Sequence, residues 1–287
     1  MTATILDGKA LAATMRGEIA AEVAAFKEQH GFVPTIAVLR AGEDPASVSY
    51  ARQIAKSFEA AGMGFALYAL PENTPEAKVV SLVKRLSRDK ATSGIMVQEP
   101  LPKQVNPEAV LAALSPAKDV DGVHPVNAGL LMQGTGDYFA PATPAGGMEM
   151  LRRHGVELKG KRAVVVGRSN IVGKPMAFLL LHQHATVTIC HSRTVDLGAV
   201  CREGDILVAA VGKARLIDGS MVKPGAIVID FGVNFVEGKM VGDVDFDSAA
   251  QVASAITPVP GGTGPLTNIM LLRNTLMAAR RQIAGSR

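Results

Sequence analysis

The sequence predicts an α/β protein of two domains. Three observations carry this. Strand-like and helix-like stretches alternate up to about residue 114, and they alternate again from Arg162 onward. Between about residues 122 and 144 the pattern loosens into glycine-rich, mixed sequence with the turn signals Asp121-Gly122, Gly134-Thr135-Gly136-Asp137 and Pro141 to Gly147. Alternation of this kind argues for parallel sheets with helical crossovers, and the loosened stretch marks the junction. The expected domains are residues 1–139 and 140–268. A chain of 287 residues, 48% hydrophobic, is long enough to bury a core in each.

In order, Leu11 to Phe26 reads as an amphipathic helix and Thr35 to Leu39 as a buried strand. Val48 to Ala61 reads as a helix ended by Gly62, then Phe65 to Leu70 as a strand, Ala77 to Leu86 as a helix and Gly94 to Val97 as a strand. Pro107 to Leu114 is a helix with Asn106 at its N-cap and Pro107 in its first position. The second unit opens with the strand Arg162 to Val166 and continues with strands at Thr186 to Ile189, Ile206 to Ala210 and Ala226 to Ile229. An apolar helix from about Thr267 to Ala284 closes the chain.

Composition narrows the function classes. The net charge is +4, with acidic and basic residues interspersed, so no basic block suggests nucleic acid. A mildly positive balance suits anionic small molecules. Cys190 and Cys201 make neither a disulfide framework nor a metal-ligand cluster, so no metal is expected and a reduced, cytoplasmic setting is the default. No apolar run is long enough to span a bilayer, and the first residues carry Asp7, Lys9 and Arg16 rather than an apolar signal region.

The densest signal is Pro258-Val259-Pro260-Gly261-Gly262-Thr263-Gly264-Pro265, with three prolines and three glycines between apolar flanks. Proline lacks the amide hydrogen and glycine permits angles closed to other residues, so regular helix or strand is not expected here. Such a loop either holds a flat ligand against backbone or only turns the chain. Further segments stand in order before it: Asp44-Pro45-Ala46-Ser47 with Tyr50, Val97-Gln98 with Pro100-Leu101-Pro102, Lys118-Asp119-Val120-Asp121-Gly122, Thr143-Pro144, Gly167-Arg168-Ser169-Asn170-Ile171-Val172-Gly173-Lys174-Pro175-Met176, and Gly225 to Asp230. Taken together these resemble the methylenetetrahydrofolate dehydrogenase/methenyltetrahydrofolate cyclohydrolase family over nearly the whole chain. The resemblance implies a folate-binding catalytic domain (residues 1–139) completed by a returning C-terminal helix (269–287), and a Rossmann-like NADP-binding domain (140–268). It also implies a homodimer and tetrahydrofolate substrates, polyglutamylated forms included.

The cofactor site is expected where a strand, a tight turn and a helix start present amides and a helix dipole to phosphate: Gly167, Arg168, Ser169, Ile171, Val172 and Gly173. The glycine spacing is not G-x-G-x-x-G, so the turn alone does not decide the matter. The next strand runs into His191-Ser192-Arg193. An acidic residue there would bind the ribose 2′-hydroxyl of NAD; Ser192 and Arg193, with Arg168, suit a 2′-phosphate and so NADP. Arg193 also reads as a solvated loop charge, and His191 as a structural loop residue. Gly212 stands where backbone would pass the nicotinamide half, and Val233 and Thr257 join it by the resemblance.

The resemblance places Tyr50 against the folate ring and Asp121 on its amino-pyrimidine edge, has Gln98 tune the charge state of a catalytic lysine, and sets Gly262, Gly264 and Pro265 along the same site. It also exposes a departure. The family motif is Tyr-x-x-x-Lys, which puts both side chains on one helix face, and the fourth residue after Tyr50 is Ile54. Lys56 lies roughly 120° around the helix from Tyr50 at 100° per residue. Gln53 shares the face but is no acid or base near neutral pH. Glu99 replaces a usually apolar neighbour of Gln98 and is expected to point the other way. The expected function is NADP-dependent oxidation of 5,10-methylenetetrahydrofolate with cyclohydrolase activity weak or lost. A fully bifunctional enzyme making 10-formyltetrahydrofolate, an inactive folate- or nucleotide-binding regulatory protein, and a two-domain dehydrogenase acting on a small acid stay open.

Overall fold

A computed structural model describes residues 3–285. In chain order its regular elements are β1 (Thr4–Ile5), α1 (Gly8–His30), β2 (Thr35–Ala41), α2 (Pro45–Ala60), β3 (Gly64–Leu70), α3 (Glu76–Arg88), β4 (Gly94–Val97), α4 (Pro107–Ala113), α5 (Pro125–Gln133) and α6 (Ala142–Arg153). They continue with β5 (Arg162–Val166), α7 (Gly173–His182), β6 (Thr186–Cys190), α8 (Leu197–Cys201), β7 (Ile206–Ala209), β8 (Ile227–Asp230), β9 (Asn234–Val236), β10 (Lys239–Val241), α9 (Phe246–Ala249), β11 (Ala255–Ile256) and α10 (Gly264–Ala284).

The chain divides into two compact units. One comprises Thr14–Leu130, Thr135–Ala140 and the chain from Asn268. Its sheet is three parallel strands in the order β3-β2-β4. From Ile36 to Ala41 β2 is buried throughout, as expected of a central parallel strand covered on both faces. Ala37, Leu39, Val79, Val83, Leu86, Ile95 and Val110 form one apolar core between this sheet and α3 and α4. Asn106 caps α4 as expected, its side chain accepting from the Glu108 amide. The C-terminal helix belongs to this unit: Arg280 pairs with Glu22 of α1 at 2.9 Å, and Asn274 Nδ2 donates to the Val120 carbonyl at 2.8 Å.

The other unit comprises the chain up to Ala13 with Leu131–Gly134 and Pro141–Thr267. Six strands lie in the order β1-β11-β8-β7-β5-β6, every neighbouring pair parallel. The carboxyl ends of the four long strands align, Val166 opposite both Cys190 and Ala209, and Ala209 opposite Asp230. Because β5 lies between β6 and β7, the strand order reverses there, and ligands of open α/β sheets bind at the carboxyl ends beside such a reversal.

Several expectations need correction. The contacts group residues 3–13 with the six-stranded unit rather than with the rest of the span 1–139, because Thr4 and Ile5 extend its sheet beside Ala255 and Ile256. The stretch 122–144 is not loose: it holds α5 and the start of α6, whose apolar residues follow no clean period. The last helix begins at Gly264, three residues earlier than expected, since a proline at position 265 suits a first helical turn. Residues 1, 2, 286 and 287, which fall within the expected spans, lie outside the described residues.

Candidate active site

Asp44 caps α2, its Oδ1 accepting from the Ser47 amide at 2.8 Å. This fixes where the helix starts and therefore which residues share the face of Tyr50. Two bonds join its first turn to the end of β4. The Ser47 hydroxyl donates to the Glu99 carbonyl at 3.0 Å, and Gln98 Nε2 donates to the Ser47 carbonyl at 3.1 Å. Gln98 is 4% exposed, and its other polar atom, Oε1, is buried with no hydrogen-bond partner. Such orphaned buried acceptors are rare in folded proteins.

Tyr50 is half-buried, and burial followed by the charge of Asp121 holds its phenol well above the usual range. Asp121 is half-buried too; burial, then Asp119, then Glu99 push its carboxyl up to about 7. These charge interactions bring Tyr50, Asp121 and Glu99 into one neighbourhood. Asp121 stands beside an organising residue the sequence did not single out. Asp119 is 0% exposed and accepts from the amides of Gly122, Val123 and His124 and from Asn127 Nδ2, at 2.7–3.2 Å. Its repeated spacing, Asp-x-Asp-Gly, was the available signal.

Ile54 is fully buried, so the position one turn after Tyr50 holds no charge and no donor. Gln53 and Lys56 are exposed, as is Glu99. Hence no ammonium shares the Tyr50 face, while the unpaired Gln98 Oε1 remains.

In the six-stranded unit the expected cofactor residues follow the aligned strand ends. Gly167 follows β5 with φ +132°, and a Cβ on it would overlap the Ala210 carbonyl; one on Gly173 would overlap the Gly167 carbonyl. Glycine at both positions lets the turn pack this closely on its own backbone. Ser169 caps the helix start itself, its hydroxyl accepting from the amides of Val172 and Gly173 at 3.1 and 3.3 Å. Those two amides are therefore engaged by the protein. Arg168, Ile171, Ser192, Arg193, Gly212 and Val233 are exposed, Val172 is half-buried and Thr257 is buried. His191 holds its turn, Nδ1 accepting from the Arg193 amide at 3.1 Å. Two exposed guanidiniums and a hydroxyl, with no carboxylate in 190–194, fit a 2′-phosphate on a dinucleotide.

The Pro-Gly loop packs against its own chain. The Gly8 amide donates to the Gly261 carbonyl at 2.9 Å, and a Cβ on Gly8 would overlap the Gly262 carbonyl. Gly262 is buried, with the Pro258 carbonyl 2.5 Å from where its Cβ would stand, so glycine is needed there for the turn. Gly264 is exposed with open space around it, and Pro265 is half-buried. Among the described residues, no group of three or more metal-ligating side chains could hold a metal ion, and no helix is long and apolar enough to cross a membrane.

Residues 6–121 match the family described as tetrahydrofolate dehydrogenase/cyclohydrolase, catalytic domain, and residues 141–283 the NAD(P)-binding domain of the same description. A protein named bifunctional protein FolD from Roseiflexus sp. (strain RS-1) is 56% identical over 286 residues, covering 99% of both chains. Among solved structures, the bifunctional FolD methylenetetrahydrofolate dehydrogenase/cyclohydrolase from Campylobacter jejuni is 43% identical, with a TM-score of 0.94 over 97% of this chain and 99% of that one. The Trypanosoma brucei methylenetetrahydrofolate dehydrogenase-cyclohydrolase, solved with NADP cofactor and inhibitor, is 39% identical, with a TM-score of 0.93 over 99% of each chain.

Proposed function

Because the chain belongs to the tetrahydrofolate dehydrogenase/cyclohydrolase family, we propose that it oxidises 5,10-methylenetetrahydrofolate with NADP and hydrolyses the resulting methenyl compound to 10-formyltetrahydrofolate. The observation that carries this is similarity along the full length to relatives named bifunctional. It favours two activities over the dehydrogenase-only expectation.

Bound NADP supplies the hydride acceptor. Arg168, Ser192 and Arg193 would hold its 2′-phosphate, Gly167 to Gly173 its pyrophosphate, and Gly212, Val233 and Thr257 its nicotinamide half. Tyr50 would pack against the folate ring, and Asp121, once ionised, would accept hydrogen bonds from the amino-pyrimidine edge. Gly262, Gly264 and Pro265 would border the substrate. Hydride leaves the methylene carbon as the folate nitrogens share the cation formed, so orientation does most of the work and no protein acid or base is required.

Hydrolysis is different. Water must lose a proton as it attacks the methenyl carbon, and ring opening must deliver one to a folate nitrogen. General acid–base catalysis of such steps is worth ~10² to 10⁴ in rate. A second reading is favoured by one specific observation: Ile54 is buried where the family lysine is expected, and Gln98 Oε1 has no partner. On that reading the dehydrogenase survives and the cyclohydrolase is weak or lost. A homodimer, a cytoplasmic setting and polyglutamylated folates are carried by the family resemblance.

Purified protein, first weighed in solution against the 29.9 kDa of one chain, decides between these. NADP reduction with 5,10-methylenetetrahydrofolate is expected; its absence sinks both readings. Decay of 5,10-methenyltetrahydrofolate above the uncatalysed rate supports two activities. No excess decay supports the second reading, and Ile54→Lys is then expected to raise hydrolysis by ~10² or more.

A further inference from the structure

Asp230 and Asp243 are two buried carboxylates, 2% and 0% exposed, with no cation paired to either among the described residues. Their charge is met by N–H donors instead. Asp243 Oδ2 accepts from the amides of Val211 and Gly212 at 2.6 and 2.9 Å, and Oδ1 from the Lys213 amide at 2.8 Å and Asn234 Nδ2 at 2.9 Å. Asp230 Oδ1 accepts from the amides of Gly232 at 2.7 Å and of Asp243 itself at 3.1 Å, and Oδ2 from the Val244 amide at 2.9 Å. Glycine at 232 and 242 permits this, since a Cβ on Gly232 would overlap the Asp243 carboxyl and one on Gly242 would overlap Asp230 Oδ2. The backbone of Asp230 carries the connection further. Its amide donates to Thr257 Oγ1 at 2.8 Å, and its carbonyl accepts from Thr263 Oγ1 of the Pro-Gly loop at 2.9 Å.

Three successive amides converging on one anion is the geometry of a phosphate-binding nest, here filled by the protein's own carboxylate. The loop 211–213 therefore cannot offer those amides to a phosphate. Its remaining surface is open, since Gly212 is exposed at φ +66° with open space where a Cβ would stand.

We propose that Asp243 is a positioning residue for the nicotinamide half of the dinucleotide: it clamps the loop along which that half lies, and through Asp230 ties that loop to the Pro-Gly loop. The proposal deepens the dehydrogenase reading and rests on it. Only a carboxylate performs the clamping. An asparagine at 243 has one acceptor oxygen in place of two and would turn an N–H against a backbone N–H. Because charge-assisted bonds of this kind are among the stronger ones, their loss is felt in the loop rather than shared over the sheet.

The test compares Asp243→Asn with the parent protein, full length, by calorimetric binding of NADP and of 2′,5′-ADP, which carries the adenosine half alone. Hydrogen exchange at the amides of residues 211–213 is followed without ligand. The expected result is faster exchange at those amides and NADP affinity weakened about 10- to 100-fold, with 2′,5′-ADP affinity unchanged. Equal losses for both ligands, or no loss for NADP, overturn the positioning role. Should the variant fail to fold, Asn234→Ala decides, since it removes one donor to Asp243 and leaves the loop sequence intact. It should weaken NADP alone by roughly threefold, and no selective loss overturns the proposal. If the parent protein binds neither ligand, the dehydrogenase reading has failed; a parent that binds both with a variant that loses neither leaves that reading standing and removes this one.

Discussion

Position 54 is where the two functional readings part. Its isoleucine is packed as tightly as any core residue, while Gln98 beside the same helix keeps an unpaired acceptor. A lysine introduced there would bury an ammonium, so a gain in hydrolysis should come with reduced stability. Asp121 makes a separate prediction. Its carboxyl titrates near 3.8 when unfolded and at about 7 in place, so the folded state binds more protons across that window. Wild-type stability is therefore lost as pH rises from about 4 to about 7. Asp121→Asn removes the titration. Urea midpoints at pH 5 and pH 8 should show the variant gaining on wild type at the higher pH, and an equal difference at both would mean an ordinary carboxyl. The sequence singled out Tyr50, Ile54, Gln98 and Asp121 because they fall in a recognisable motif order. Asp119, Asp230 and Asp243 were not singled out as organisers, since a buried carboxylate that gathers amides has no periodicity and looks in sequence like any turn aspartate.

At the scale of elements, α2 and the end of β4 act together because Ser47 joins them by both its hydroxyl and its carbonyl. Ser47→Ala keeps the carbonyl bond from Gln98 and removes the hydroxyl, whose one hydrogen is shared between the Glu99 carbonyl and Asp44 Oδ1, both at 3.0 Å; the loss is about 1 kcal/mol, or roughly fivefold in an equilibrium. The expected outcome is a folate KM raised about fivefold with NADP affinity unchanged. Steady-state kinetics check this, and a change confined to NADP would mean that the tether does not orient Tyr50. The long strands and the helices between them were legible because alternating buried strands and amphipathic helices leave a strong pattern. The short pieces were not. Two-residue strands such as β1 and β11 have no pattern to detect, and α5, Pro125–Gln133, mixes glycine and asparagine among its apolar residues so that no face stands out.

Across the whole molecule, neither unit is a continuous segment. The six-stranded sheet takes its edge strand from residues 4 and 5, and the three-stranded unit takes in the chain from Asn268. A fragment of residues 1–139 lacks the helix that supplies Asn274 to the Val120 carbonyl, and a fragment of 140–268 lacks β1. Neither fragment is expected to show a cooperative thermal transition alone, whereas the full chain should; a sharp transition in either would mean that the missing piece is dispensable. The pairing of Thr4 with Ala255 also sets a schedule for biosynthesis. A ribosome adding about 5–20 residues per second delivers the partner of that first strand roughly 13–50 s after the strand itself has been made. Through that interval the nascent chain carries an edge with no partner, and the other unit waits still longer for its closing helix. Neither unit is therefore complete before the chain beyond residue 255 has been made, and chaperones that shield unpaired strands would meet this chain early and hold it through that interval.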